Sequence, residues 1–115
     1  NRFQRHFRKF HSKETTGHPS YVFDEEGNKY KILGITGSPT TNGVLNVKLK
    51  KNPEPNNNDD AFVHTQPSEI KKGVRNKKLK GWKFSEEDKK RVNAIIDKHS
   101  EKKGRKKRKT GDTET

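Results

Sequence analysis

Two of the five histidines, His18 and His64, have side chains suited to acid–base chemistry on a phosphodiester. Metal-independent cleavage of RNA needs a base for the 2′-hydroxyl, an acid for the leaving oxygen and cations for the charged intermediate. His18 and His64 can fill the first two roles and Arg75 the third, so these three residues are the catalytic candidates. Separate histidines in a small basic protein are usually not catalytic, and the non-catalytic interpretation stays open beside this one.

No metal or cofactor site is predicted. The chain has no cysteine, and no two of its histidines lie at a recognised ligand spacing, which argues against zinc. The glycine-containing stretch 34–38 lacks the Gly-Lys-Ser/Thr ending of a phosphate-binding loop, and it is more typical of a strand that enters a turn.

The positive charge of the chain is concentrated in three blocks. The net charge is +13: residues 1–16 carry +4, residues 69–83 carry +6, residues 101–115 carry +4, and all other residues together carry −1. The segments between these blocks are close to neutral. Concentrated basic blocks around a near-neutral middle are typical of a surface that binds a polyanion, and nucleic acid is the expected one.

The segment 71–83 is the most informative basic block, because its cations alternate with glycines and with the single tryptophan, Trp82. Lysines can follow a phosphate backbone while an aromatic ring stacks on an unpaired base, which contributes ~1–3 kcal/mol per base. The alternative is that Trp82 and Phe84 anchor the C-terminal helix to the sheet.

The C-terminal tail has seven cations between residues 102 and 109, which predicts affinity for phosphates without any reading of bases. Its alternative interpretation is a solubilising tail. The residues predicted to contact nucleic acid are Arg5, Arg8, Lys48, Lys50, Lys71, Lys72, Arg75, Lys77, Lys78, Lys80, Trp82, Lys83, Lys102, Lys103, Arg105, Lys106, Lys107, Arg108 and Lys109.

The elements that must position these residues are few, because only 23% of the chain is hydrophobic. Phe3, Phe7 and Phe10 follow the spacing of one helical face, so residues 1–16 are expected to form a basic amphipathic N-terminal helix or arm. Alternating apolar residues between positions 21 and 63 predict three or four short strands, with the clearest hairpin around residues 24–28.

The C-terminal part is expected to contain one helix, at about residues 85–99. Ser85 followed by three acids is a good helix start, because the acids complement the helix dipole. The fold class predicted for the chain is therefore α+β: an N-terminal helix, a small mostly antiparallel sheet and one C-terminal helix. Residues 17–100 would form a single domain, and residues 101–115 a disordered basic tail.

Three short motifs resemble a group of small basic proteins from phages and mobile elements: His18-Pro19-Ser20-Tyr21, Gly34-Ile35-Thr36-Gly37-Ser38 and Asn52-Pro53-Glu54-Pro55-Asn56. That group has a His where this chain has Gly37, and Ala-Tyr where this chain has Ala61-Phe62. The resemblance implies a mobile-element context and, if that His is functional, a diverged or inactivated member. The predicted order of elements also resembles toxin-type endoribonucleases of the barnase, colicin and RelE-like class.

The expected function is binding of RNA or DNA, largely independent of sequence. Two alternatives stay open, namely a metal-independent endoribonuclease or toxin, and a protein that docks on an acidic protein partner. A membrane partner is not expected, because no apolar run approaches ~18 residues. The oligomeric state is left open, and the expected location is the cytoplasm, or the nucleus if the source is eukaryotic.

Overall fold

The computed structural model describes residues 3–11 and 18–108, with side chains described through Ser100. Within these residues the chain forms a series of strands followed by a helix. The elements are β1 (His6–Phe10), β2 (His18–Glu26), β3 (Lys29–Thr36), β4 (Thr40–Thr41), β5 (Val44–Leu45), β6 (Val47–Lys48), β7 (Phe62–Val63), β8 (Ser68–Lys71), β9 (Asn76–Lys78) and α1 (Glu86–Arg108).

The described strands form a sheet of seven and a sheet of two, so the prediction of three or four strands is wrong. Six strands of the larger, antiparallel sheet follow the order β6-β7-β3-β2-β1-β9. Strand β8 pairs with the first half of β3, and β7 pairs with its last two residues. Residues 72–75 connect β8, beside β3, directly to β9, beside β1. Because β2 lies between β3 and β1, this short connection requires the sheet to curl.

The predicted N-terminal helix is wrong, because this segment is strand β1 at the centre of the β2-β1-β9 part of the sheet. A spacing of three residues puts two side chains on one face of a helix but on opposite faces of a strand. Phe7 is buried on the face that α1 covers, and Phe10 is buried on the other face. Both faces of this sheet are apolar, so the phenylalanine spacing fits a strand as well as a helix.

The core therefore has two parts, one on each face of the sheet. The larger cluster lies under α1, and its buried members are Phe7, Phe23, Leu33, Ile35, Leu49, Ala61, Val63, Phe84, Val92 and Ile96. The smaller cluster consists of Phe10, Val22 and Ile32, with Phe3, Tyr30, Ile70 and Val74 packed against it. Val74 belongs to the connection from β8 to β9, so that connection covers the smaller cluster.

Helix α1 starts as predicted but extends further than the predicted span of 85–99. The Oγ atom of Ser85 accepts a hydrogen bond from the backbone N–H of Asp88 at 3.2 Å. The fully buried carboxylate of Asp88 accepts hydrogen bonds from the backbone N–H groups of Lys50 and Lys51, at 2.9 and 3.1 Å. These bonds fasten the first turn of the helix to the chain that leaves β6.

The backbone of α1 continues through residues 102–108, so six of the tail cations predicted to bind phosphate lie in its last two turns. Lysine and arginine are good helix formers, which permits this extension. Lys109 and the rest of the tail lie outside the described residues. The helix is not long and apolar enough to cross a membrane.

The alternating stretch 45–49, which predicts a single half-buried strand, is divided between two short strands instead. Leu45 is 72% exposed in β5, whereas Leu49 is buried. Strands β4 and β5 form a hairpin whose turn has left-handed backbone at Asn42 and Gly43. Strands β5 and β6 have two residues each, which is too short for one pattern of alternating buried and exposed side chains to continue through both.

Candidate nucleic-acid interface

The outer strand β9 and its neighbour β1 place basic side chains directly opposite one another. Arg8 pairs with Lys78 in the strand register, and Lys9 pairs with Lys77. Directly opposed residues in an antiparallel pair have Cβ atoms about 4.5–5.5 Å apart, and like charges in that position destabilise the sheet. Successive side chains alternate between the two faces of a sheet, so the Arg8–Lys78 pair and the Lys9–Lys77 pair extend to opposite faces at this edge. We call these four residues together the β1–β9 ridge.

The ridge includes three residues that the sequence predicted as phosphate contacts, and it adds Lys9. Two of the predicted residues, Lys77 and Lys78, are exposed on β9, and Arg8 is half-buried on β1. Lys9 was missed because the predicted N-terminal helix gave it no partner strand. Strand pairing is the signal that brings it beside Lys77.

The predicted contact lysines differ in whether an acid neutralises them. Lys48, Lys50 and Lys72 form ion pairs with Asp60, Glu87 and Glu25 respectively. In contrast, within the described part of the chain no carboxylate lies within 4.0 Å of the side-chain nitrogens of another group of predicted residues. This group consists of Lys71, Arg75, Lys77, Lys78, Lys80 and Lys83.

The two arginines of β1 and its approach are held in place by neutral groups. Arg5 donates to the carbonyl of Phe23 at 3.2 Å and to Oδ1 of Asn93 at 2.8 Å. Arg8 donates to Oδ1 of Asn76 at 2.7 Å, and its guanidinium lies 5.4 Å from the centre of the Tyr30 ring. These contacts fix both guanidinium groups without cancelling their charge.

His6, which sequence reasoning did not select, is neutral beside the ridge. Its Nε2 atom accepts a hydrogen bond from Nε of Arg8 at 2.9 Å, and its Nδ1 atom donates to the carbonyl of Gln4 at 2.9 Å. Burial lowers the pKa of His6, and the charges of Arg8 and Lys78 lower it further, while the bond to Gln4 opposes them. Burial is thus the main cause of the lowered pKa of His6, and the positive charges of the ridge add to it.

A cleft of about 400 Å³ opens beside the ridge, between β1, the segment that follows β9 and the start of α1. We call it the aromatic cleft. It is lined by Arg5, His6, Phe7, Tyr21, Lys78, Leu79, Lys80, Gly81, Trp82, Lys83, Phe84 and Lys89. Four of these described residues are aromatic, five are lysine or arginine, and none is acidic.

The aromatic rings of the cleft form one connected cluster. The centroid of the Phe7 ring lies 4.9 Å from the ring centroid of Phe84, 5.1 Å from that of Tyr21 and 5.7 Å from that of Trp82. Phe7 and Phe84 are buried, whereas Tyr21 and Trp82 are half-buried. Trp82 therefore has the buried cluster on one side and keeps part of its surface accessible.

The chain around Trp82 is held on both sides. The N–H of Leu79 donates to the carbonyl of Phe7 at 2.9 Å, and the N–H of Lys83 donates to the carbonyl of Pro53 at 3.2 Å. Between them, Gly81 has a φ of +82°, a conformation that glycine adopts readily. The backbone on both sides of Trp82 is thus held in place.

The two candidate histidines are brought together at the other end of the sheet. The N–H of His64 donates to the carbonyl of Gly34 at 3.0 Å, and the His64 ring lies against that glycine, 3.1 Å from where a Cβ atom would be. Gly34 is opposite the buried Ser20 in the register of β2. Burial lowers the pKa of His64, and the charge of His18 lowers it further.

Arg75, the third catalytic candidate, lies apart from the histidines in the strand order. It immediately precedes β9, and its carbonyl accepts a hydrogen bond from the N–H of His11. His18 pairs with Phe10 on one side of β1, whereas Asn76 pairs with Phe10 on the other. Strand β1 therefore separates the chain at Arg75 from the chain at His18.

A second cavity, of about 320 Å³, adjoins His18 and Gly37. Its described lining includes Glu54, Asp59 and Asp60 and no lysine or arginine. Three carboxylates would repel a phosphate at this place. Trp82 lines this cavity as well as the aromatic cleft, so the indole ring lies between an acidic and a basic depression.

In the part of the chain that the structure describes, no three His, Cys, Asp or Glu side chains are grouped so that they could hold a metal ion. Comparison with known proteins gives no further assignment: no family model, no curated protein and no solved structure matches the chain.

Proposed function

We propose that this protein binds nucleic acid, RNA or DNA, through contacts of its basic side chains with the phosphate backbone. The observation that carries the proposal is the register of β1 and β9, which sets Arg8 opposite Lys78 and Lys9 opposite Lys77. Such like-charge pairs each cost about 0.2–1 kcal/mol in the free protein. Bound phosphates would attract both members of each pair and so offset this repulsion.

Among the described residues, the lack of ion pairs at the ridge is local rather than general. The described residues form ion pairs elsewhere, including Lys29 with Glu69 at 3.8 Å and Lys31 with Glu26 at 3.3 Å, both on the same sheet. Carboxylates thus lie beside other lysines of this sheet, but no described carboxylate lies within 4.0 Å of a side-chain nitrogen of the ridge. An uncompensated group of cations on one edge supports a binding surface for phosphates.

Binding through this surface would be largely independent of sequence, because phosphate contacts position a protein without reading bases. The last two turns of α1 add further cations to the same chain, at residues 102–108. We assign the primary contacts to the ridge and to Lys80 and Lys83, and weaker ones to the ion-paired lysines.

The test is binding of labelled single-stranded RNA and of duplex DNA across a salt series without divalent metal ions. The logarithm of the binding constant should fall linearly with the logarithm of salt concentration, by about 0.7 per phosphate contact for a single strand and about 0.9 for duplex DNA. No binding at low salt would contradict the proposal and favour an acidic protein partner.

A metal-independent ribonuclease is the second candidate function. It is favoured by the strand register, because His64 lies against Gly34, and Gly34 is opposite Ser20, two residues along β2 from His18. The acidic cavity beside His18 and the position of Arg75 beyond β1 weigh against it. The same binding samples, run on a denaturing gel, test it: cleavage that is lost in His64→Ala while binding persists would establish the ribonuclease. A mobile-element origin is also proposed, on the basis of the three short motifs alone.

A further inference from the structure

We infer that the aromatic cleft holds one unpaired nucleobase against Trp82, so that the protein selects single-stranded over duplex nucleic acid. This inference rests on the proposed function and specifies its substrate class. It concerns the cleft and not the ridge, so the two can fail separately.

The first argument is the combination of aromatic and cationic residues in one depression. The rings of Phe7 and Phe84 close the inner side of the cleft, and the half-buried ring of Trp82 is accessible from outside. A volume of about 400 Å³ lies within the ~300–1,000 Å³ range of small-molecule sites. A flat heterocycle is the part of a nucleic acid that such a cleft fits.

The second argument is charge. Lys80 and Lys83 flank Trp82 closely in the chain and line the same cleft, as do Arg5 and Lys78. A base in the cleft carries a phosphate on each side of its sugar, and these phosphates would meet the surrounding cations. Because no described lining residue is acidic, nothing in the cleft repels them.

The third argument is that the cleft is already formed in the free protein. Hydrogen bonds at Leu79 and Lys83 hold the segment on both sides of Trp82. A preformed site loses little conformational freedom on binding. In a duplex both faces of each base are covered by its neighbours, so a paired base cannot stack on Trp82 unless the duplex opens.

The chain provides its own probe for this inference, because Trp82 is its single tryptophan. We would titrate the protein with a short oligouridylate, with the same strand annealed into a perfect RNA duplex, and with inorganic polyphosphate of matched charge. Each titration follows the fluorescence of Trp82, and competition with a labelled oligouridylate, followed by anisotropy, gives the affinities.

We expect oligouridylate to quench Trp82 and polyphosphate to leave its fluorescence unchanged, with the duplex bound more weakly. If oligouridylate binds without quenching and no more tightly than polyphosphate, the inference is overturned while the proposed function stands. If none of the three probes binds at low salt, the proposed function is itself refuted. A phenylalanine-containing acidic peptide that displaces oligouridylate and binds more tightly would reassign the cleft to a protein partner.

Two variants complete the test. Trp82→Ala should weaken oligouridylate about 5- to 150-fold, the range that one base–aromatic stack contributes, and leave polyphosphate affinity unchanged. Trp82→Phe keeps a ring and should keep most of the affinity. Circular dichroism is the control for folding, and an unchanged polyphosphate affinity shows that the cations still bind phosphates. If Trp82→Ala does not fold, the test uses Trp82→Phe, which must still bind oligouridylate. A folded variant that loses the same affinity for oligouridylate and for polyphosphate contradicts a base subsite.

Discussion

Replacement of Lys77 by glutamine is expected to stabilise the protein and to weaken its binding of nucleic acid. Lys77 is exposed on β9, lies opposite Lys9, and has no carboxylate partner within 4.0 Å among the described residues. Removal of one directly opposed like-charge pair is worth about 0.2–1 kcal/mol. For a domain of this size that corresponds to a rise in melting temperature of about 1–8 °C.

The effect on affinity has the opposite sign. Loss of one phosphate contact lowers the salt slope for single strands by about 0.7, which corresponds to about a 5-fold loss of affinity at 0.1 M salt. Thermal unfolding followed by circular dichroism measures the first effect. Anisotropy of a labelled oligonucleotide across a salt series measures the second.

Lys31→Gln is the matched control, because it removes the same charge from the same sheet. Lys31 forms an ion pair with Glu26 at 3.3 Å, so its loss should not stabilise the protein and should change the salt slope less than Lys77→Gln does. If Lys77→Gln lowers the melting temperature, or if both variants change the affinity equally, the argument from the ridge is refuted.

Three further predictions concern buried and half-buried groups. Asp88→Ala should lower the free energy of unfolding by about 2–6 kcal/mol, because it leaves two backbone N–H groups without acceptors at about 1–3 kcal/mol each, and urea denaturation measures this. The pKa values of His6 and His64 are lowered in the fold, so the folded protein binds protons at these residues less well than the unfolded chain does. The two histidines therefore make their full contribution to stability above about pH 6.5, and this contribution is lost as the pH falls below that value. Melting temperatures at falling pH should show this loss, and a His6→Gln, His64→Gln double variant should show less of it; an equal loss would contradict the assignment. Gly34→Ala places a Cβ atom 3.1 Å from the His64 ring and should destabilise the fold. The destabilisation should be smaller in a His64→Ala background, and a double-mutant cycle measures this difference.

The parts of the fold that the sequence predicted well are those with local signals. The start of α1 follows from Ser85 and the acids after it, whose bonds form within one helical turn. The hairpin around residues 24–28 follows from its turn residues, and the structure joins β2 to β3 there through a left-handed Gly27. These elements are decided by neighbours in the sequence.

The N-terminal segment was mispredicted because non-local contacts decide it. The spacing of Phe7 and Phe10 fits one face of a helix, and it equally fits a strand with a buried residue on each face. Only the strand partners of β1 distinguish a strand from a helix here. One partner is separated from β1 by about ten residues of sequence and the other by about seventy. Periodicity in a single segment carries no information about such partners.

The same limit applies to the candidate site. Composition identified the basic segment around Trp82, but it could not show which lysines have acidic partners, since Lys72 is paired with Glu25 across the fold. The aromatic cleft joins residues near Arg5 to residues near Lys89, and no spacing in the sequence connects them.

The position of β9 has a consequence for assembly. Among the described strands β9 ends the sheet, so its outer backbone N–H and C=O groups are a template for pairing with another chain. Lys77 and Lys78 lie on this strand, and lysines at an open edge repel a second copy of the same edge. A polyanion that neutralises them would remove that repulsion, so edge-to-edge association of copies is expected to be greatest where protein and nucleic acid approach charge balance.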